Sequence, residues 1–351
     1  MTATSADAAA RTAAIDRECM TRAIAAAARV RCATSPNPWV GAVLRTPDGR
    51  MFEGATEPPG GAHAEVVALR GAGEAAQGAT LYVTLEPCTH TGRTGPCATA
   101  IVEAGITRVV IGVEDPDPQV SGSGIRQLRD AGIDVTVGVQ AEQVAGQLVA
   151  YLKHRRTGRP YVVLKLAATL DGGTAAPNGS SKWITCPEAR ADGHRLRAES
   201  DAILVGAGTI RRDDPSLTVR DYRPPVSPDG RSVDPLRVVL GSVDADANVQ
   251  PCYSTSGPLL DVLDDLGSKG VLQLLVEGGA NVAGEFHRLG LVDRYVIYLA
   301  PALFGGEDAR GLFAGNGAWD MSELWRGSFV AIERVGADVR VEMVPAAGDG
   351  S

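Results

Sequence analysis

No run of apolar residues approaches the roughly 20 needed to cross a membrane as a helix. Positive charge is in short supply as well. With 34 Lys and Arg against 42 Asp and Glu, the net charge is −8 and the pI is near 5.3. That balance excludes a general nucleic-acid or anionic-membrane surface, while leaving room for a local basic pocket that takes one phosphate. The six cysteines are scattered, which excludes a disulfide framework and points to a reducing cytoplasm. The first dozen residues lack the basic start and apolar stretch of a secretory signal and read as a disordered lead-in. A ribonucleotide-sized partner suits this composition better than tRNA or DNA.

What is present is an alternation of apolar runs and Gly/Pro punctuation, long enough for two domains. Apolar spacing predicts a helix over Ala13–Arg31, strands at Val40–Leu44, Thr80–Leu85, Arg108–Val113 and Asp134–Val139, and helices at Ala64–Arg70, Ala98–Ala104 and Gly124–Ala131. This is a three-layer α/β unit. A last helix runs from Glu142 to about Lys153. The basic segment His154–Pro160 follows it as the expected linker, dividing the chain into domains 1–157 and 158–351. Beyond it, strands are expected at Tyr161–Ala168, Ala202–Val205, Leu236–Leu240, Leu272–Val276 and Arg294–Leu299. A hairpin of Phe329–Arg334 and Asp338–Val344 closes the pattern.

The chemistry concentrates in residues 63–97. His63 and Glu65 open a helix, Cys88 follows a strand end, and Cys97 opens the next helix after Pro96. One imidazole and two thiols form a three-ligand zinc set that leaves a fourth tetrahedral position open, the catalytic arrangement. Helix N-termini favour thiolates and hence metal binding. Zinc brings the pKa of a bound water from about 15.7 to near 7. Glu65, two residues from His63, is the expected proton shuttle of a hydrolytic base deaminase. The commonest deaminase signature is Pro-Cys-x-x-Cys, whereas eight residues, Thr89 to Pro96, separate Cys88 from Cys97 here. The glycines and Arg93 of that insert suit a loop over a substrate phosphate.

The second half carries three glycine-rich turns after strands, at Val205–Thr209, Val276–Asn281 and Pro301–Gly306. Gly278–Glu285, running into a helix through Leu289, is the best candidate for a backbone approach to phosphate. No Gly-x-Gly-x-x-Gly follows the first strand of this half, so a standard dinucleotide fingerprint is not met. Trp183 sits among hydroxyls in a run suited to a flat ring. Arg197, Arg211, Arg212 and Arg220 form a charged series around Asp214-Pro215.

The run Glu86-Pro-Cys-x-His-x-Gly-Arg-Thr-x-Pro-Cys97, with Ser35-Pro-Asn-Pro-x-Val-Gly41 upstream, resembles the deaminase half of the bifunctional riboflavin-biosynthesis deaminase/reductase family. Leu170-Asp-Gly172, Trp183-Ile-Thr185, Asp201–Gly206, Asp213-Asp-Pro-x-Leu-Thr-Val-Arg220 and Glu277-Gly-Gly279 resemble its reductase half. The resemblance runs from about residue 13 to 345. It implies a cytidine-deaminase-like three-layer α/β domain followed by a dihydrofolate-reductase-like domain. It further implies zinc on His63, Cys88 and Cys97, with Glu65 catalytic. The substrate would be a 2,5-diamino-6-ribosylamino-pyrimidinone 5'-phosphate that loses its 2-amino group. NADPH would then reduce the ribosyl group to ribityl.

By the same resemblance Asn37 and Arg93 contact the substrate of the first step, while His90 belongs either to that loop's packing or to the site. NADPH falls to Ala167, Trp183, Thr209, Asp213 and the run Gly279, Ala280, Asn281, Val282, Ala283, Gly284 and Glu285. The second substrate site falls to Ser181, Arg197, Leu217, Arg220 and Glu277, with the arginines as phosphate clamps. Lys165 and Asp171 both stand as proton-donor candidates for the reduction. Thr56 replaces a histidine of some members, Gly95 a proline, and Gly241 a frequent aspartate. A homodimer is implied, and no nucleic-acid or membrane partner. A monofunctional deaminase with a non-catalytic second half, and a nucleotide sensor with a relic zinc site, are the competing readings.

Overall fold

The computed structural model describes residues 5–89, 95–118, 120–226 and 234–346. The chain parts into two compact units between Thr157 and Gly158. Among the described residues no helix is long and apolar enough to cross a membrane.

The first unit begins with α1 (Ser5–Val30), β1 (Gly41–Arg45) and β2 (Met51–Ala55). It continues through α2 (Ala64–Ala72), β3 (Thr80–Leu85), α3 (Cys97–Glu103), β4 (Arg108–Val113) and α4 (Ser123–Asp130). It ends with β5 (Asp134–Val137), α5 (Ala141–Gln147) and α6 (Val149–Thr157). The sheet order is β2-β1-β3-β4-β5, antiparallel at β2/β1 and β1/β3 and parallel at β3/β4 and β4/β5. α1 buries Cys19, Met20, Ala23, Ala26, Ala27 and Val30, a stripe at helical spacing. Its start differs from expectation. The stretch from Ser5, read as a lead-in, is already helical, as its alanine content favours.

The expected linker differs too. His154 to Thr157 form the last turn of α6, where basic side chains answer the negative end of the helix. β2 was not expected. Its five residues pair in register with β1 but are mostly half exposed, and so lack a buried-strand signature.

The second unit opens with β6 (Tyr161–Thr169), β7 (Gly173–Ala175), α7 (Pro187–Ala198), β8 (Ala202–Gly206) and α8 (Ala207–Asp213). β9 (Leu236–Leu240), β10 (Tyr253–Thr255), α9 (Leu259–Ser268), β11 (Gln273–Val276) and α10 (Ala280–Arg288) follow. β12 (Arg294–Ala300), β13 (Arg310–Gly311), β14 (Gly327–Val335) and β15 (Asp338–Pro345) complete it. Eight strands form one sheet in the order β10-β9-β8-β11-β6-β12-β15-β14, parallel as far as β12 and antiparallel beyond; β13 and β7 pair separately. Val162, Leu164, Leu204, Leu274 and Val276 of the central strands pack with Val262, Leu263 and Leu266 of α9 and Phe286 of α10. Each such side chain contributes roughly 1.5–3 kcal/mol on burial. The core is what holds the strand ends and the helix starts that follow them in place.

Candidate functional sites

In the first unit three donor atoms converge. His63 is the residue that caps α2, Cys97 is the first residue of α3, and Cys88 follows β3. Cys97 Sγ lies 3.3 Å and Cys88 Sγ 3.6 Å from His63 Nδ1, and all three donors fall within 4.8 Å of one another. Donors around a tetrahedral zinc stand about 3.6–3.8 Å apart, so this set fits the ion. Cys88 is held down at about 4, first by the hydrogen bond from the Cys97 thiol, with His63 adding to it against burial. Cys97 is pushed up, chiefly by the hydrogen bond its thiol donates to the Cys88 sulfur and then by burial. His63 is raised, first by its bond to Cys88.

Glu65 lies in the first turn of α2 and is 4% exposed. Burial, and then the charge of Cys88, raise it to about 7, a value suited to a group that both takes and gives a proton. His63, Glu65 and Cys88 line a cavity of about 530 Å³ together with Asn37, Thr56, Glu86, Asp115, Asp117, Tyr151 and Arg155. Thr56 accepts the Val40 N–H at 3.1 Å, so its hydroxyl is already in use. Among the described residues none lies within 4 Å of a Cβ built on Gly95. Arg93 and His90 lie outside the described residues.

Glu86 was quoted in the motif without a role, and the structure gives it one. Its carboxylate accepts four backbone N–H groups, from Asp115, Gly122, Gly124 and Ile125, at 2.9–3.2 Å. The last two belong to the first turn of α4, where donors are free and the dipole is positive. A Cβ on Gly124 would stand 2.0 Å from the Pro87 carbonyl oxygen. The segment carrying Cys88 is therefore clamped between the Glu86 bonds and the start of α4.

In the second unit Arg197, at the end of α7, donates from Nε and Nη2 to Glu277 at 2.8 and 2.9 Å and from Nη1 to the Thr218 carbonyl at 3.0 Å. Lys165 Nζ stands 3.9 Å from Glu277. Burial alone would raise Glu277, but Arg197 and then Lys165 outweigh it and hold the carboxylate at about 2. Much of the Arg197 fork and charge is thereby committed to Glu277. Leu217 is buried with φ at 53°, beside the carbonyl that Arg197 holds. Arg220 is exposed, and its N–H donates to His194 Nδ1 at 3.1 Å. His194, which the sequence did not single out, is buried on α7 and serves as the acceptor that fixes the Arg220 backbone. Ser181 lies in the loop between β7 and α7.

A cleft of about 140 Å³ is lined by Lys165, Ala167, Thr174, Glu277, Gly279 and Ala280, among others, room for a ring and not for a whole dinucleotide. Gly279 caps α10, and a Cβ there would stand 3.7 Å from Thr209 Oγ1 on α8. Exposed backbone at Gly279 and Asn281, on the first turn of a helix, fits a cofactor phosphate. Ala280 and Val282 are half-buried beside it. Ala283 is packed in the core, a Cβ on Gly284 would stand 2.1 Å from the Ala314 carbonyl, and Glu285 is exposed. Trp183 is 70% exposed, with the Arg190 guanidinium 4.6 Å from its ring centre, and Asp213 ends α8. Gly241 has φ at 107°, where an aspartate would be strained.

Of the two proton-donor candidates, Lys165 lines the cleft. Asp171 accepts from the Gly305 N–H and the Thr169 hydroxyl, and these bonds lower its pKa, so it is ionised at neutral pH and cannot donate.

Comparison with known proteins follows the same division. Residues 13–113 match the cytidine and deoxycytidylate deaminase zinc-binding region, and residues 160–341 match the RibD C-terminal domain. The riboflavin biosynthesis protein RibD of Escherichia coli is 39% identical, the alignment covering 94% of this chain and 100% of that one. Its Mycobacterium tuberculosis counterpart is 42% identical over 93% of this chain and 96% of its own. Among solved structures, Acinetobacter baumannii RibD superposes with a TM-score of 0.88 at 37% identity, covering 94% of this chain and 98% of that one. A Thermotoga maritima diaminohydroxyphosphoribosylaminopyrimidine deaminase/5-amino-6-(5-phosphoribosylamino)uracil reductase gives 0.84 at 34% identity, covering 95% and 99%. With a deaminase-type donor triad in one unit, a helix-start cleft in the other and relatives matched along nearly their whole length, the chain belongs to the riboflavin biosynthesis protein RibD family.

Proposed function

We propose that residues 1–157 deaminate 2,5-diamino-6-(5-phosphoribosylamino)pyrimidin-4-one and that residues 158–351 reduce the deaminated product to 5-amino-6-(5-phosphoribitylamino)uracil. The observation that carries this is the meeting of the His63, Cys88 and Cys97 donors at a cavity that His63, Cys88 and Glu65 line. Zinc held by those three donors would supply an acidified water, and NADPH bound along the α10 start would supply hydride. Glu65 takes a proton at its carboxylate from the attacking water and returns it to the ring nitrogen. It then takes the proton of the newly added hydroxyl and gives it to the amine, so that the C–N bond breaks, ammonia leaves and the ring carbon becomes a carbonyl. Asn37, half-buried on the cavity wall, is proposed to read the pyrimidine edge, and Arg93 to meet substrate.

In the reductase half, Glu277 fixes Lys165 and Arg197 beside the cleft, and Lys165 is the group positioned to give a proton. Ala167, Trp183, Thr209, Asp213 and the exposed part of Gly279–Glu285 are proposed to hold NADPH. Ser181, Leu217 and Arg220 are proposed to bound the substrate, with Arg220 the freer cation.

The metal-binding thiols need a reducing compartment, so we assign the enzyme to the cytoplasm. A homodimer is the proposed assembly. Edge strand β14 presents Phe329, Val330 and Ile332, each at least half exposed, as a surface for a second copy. Sedimentation at micromolar concentration should give twice the chain mass, and a monomer mass would refute the assembly.

The test of the activity is incubation of the diamino substrate with the zinc-loaded chain, with and without NADPH, and product identification by mass. Without NADPH the product gains about one mass unit, amine to carbonyl. With NADPH it gains about two more. Absence of the first change refutes the deaminase; the first without the second leaves a monofunctional enzyme.

A further inference from the structure

The basic run ending the first unit contains a residue that lines the deaminase cavity. Arg155 belongs to α6, and its guanidinium lies 5.0 Å from the centre of the Tyr151 ring, one helical turn earlier. Arg155 Nε stands 3.4 Å from Asp117 Oδ2. Tyr151 donates to Asp115 at 3.0 Å, and Asp115 Oδ1 accepts the Asp117 N–H at 2.9 Å. Two residues of α6 and two of the loop after β4 thus fix a guanidinium in the cavity wall. Its Nε is buried and, among the described residues, has the Asp117 ion pair but no hydrogen bond.

The charge distribution of the cavity gives that position a consequence. Among the described lining residues, Arg155 is the only lysine or arginine, against the four acids Glu65, Glu86, Asp115 and Asp117. Glu86 is occupied by backbone N–H groups, and Glu65 faces the metal ligands. A phosphate monoester carries about −1.5 to −2 charge near neutral pH, and among these described residues the Arg155 guanidinium is the one that attracts it. A pyrimidine ring that reaches the triad uses only part of 530 Å³, and the sugar and phosphate need the rest.

We propose that Arg155 binds the 5'-phosphate of the deaminase substrate through its planar fork, with Tyr151 and Asp117 as positioning residues. The inference rests on the deaminase reading above. Asp117 holds the guanidinium, and phosphate oxygens take the donors that Asp117 leaves open.

The test compares wild type, Arg155→Met and Arg155→Lys on the phosphorylated substrate and on its dephosphorylated riboside, following ammonia release. Zinc content reports that each variant is folded. In Arg155→Met the ratio of kcat/KM for phosphate ester over riboside should fall about tenfold or more, chiefly through KM. Arg155→Lys keeps the charge without the fork and should fall between. If Arg155→Met fails to bind zinc, the Lys variant decides by the same ratio. An unchanged ratio, whether both substrates suffer equally or neither does, overturns the proposal. A wild type that releases no ammonia from either substrate refutes the deaminase reading itself, a result distinct from an unchanged ratio.

Discussion

Glu277 is a buried carboxylate that stays ionised because Arg197 meets it with two donors and Lys165 stands beside it. Its folded pKa of about 2 lies below the ordinary value of 4.5, so the pair's stabilisation is fully present above pH 4.5 and is lost as pH falls through 2. The shift corresponds to about 3 kcal/mol at neutral pH, of which about 2 kcal/mol is lost by pH 3. Glu277→Gln strands the guanidinium in the interior and should cost about 3–5 kcal/mol at pH 7. The stability gap between wild type and Glu277→Gln, from urea unfolding, should then narrow steadily between pH 5 and pH 3. A gap that stays constant would mean Glu277 is not the titrating partner. NADPH-dependent reduction should fall in the same variant, since Lys165 loses its fixed neighbour.

At the scale of elements, the deaminase site depends on how closely α4 approaches the segment after β3. Gly124 lies against the Pro87 carbonyl, and neither backbone can yield without moving Cys88. Gly124→Ala should therefore weaken zinc binding by about 10–100-fold, the size of other losses in support around a metal site. Competition with a chromogenic chelator would measure it, and wild-type affinity in the variant would refute the clamp. This dependence was not legible in the sequence, because Gly124 and Pro87 meet only through folding across 37 positions. The triad itself was legible, since imidazole and thiols next to helix starts carry both a chemical type and a local signature.

Strand β3 and the β14–β15 hairpin were legible from their apolar runs and turn residues. β2 was not, because Met51–Ala55 is held by pairing with β1 and not by a buried face. Gly158 and Pro160, which favour a linker over His154–Pro160, mark the end of α6 at Thr157 and not its absence before it. Arg155 was consequently read as part of a connection, its contact with Asp117 lying 38 positions away.

At the scale of the molecule, each compact unit carries its own reactive cleft. The triad and its cavity are built from residues 36–155, and the second cleft from residues 165–312. No side chain named in one site comes from the other unit. A lesion in the first should therefore leave the second chemistry intact. Cys88→Ser replaces a thiol already held near 4 with a hydroxyl that stays protonated, so one of the two thiolate donors disappears. Zinc should fall well below one per chain, and ammonia release from the diamino substrate should drop by about a hundredfold or more. NADPH oxidation with the deaminated substrate supplied directly should stay within about twofold of wild type, because every residue proposed for the reductase site lies beyond Gly158. Loss of both activities in a variant whose urea unfolding matches wild type would show that the two halves are catalytically coupled. Retained reduction with abolished deamination would show one chain performing two chemistries in sequence, each on its own framework.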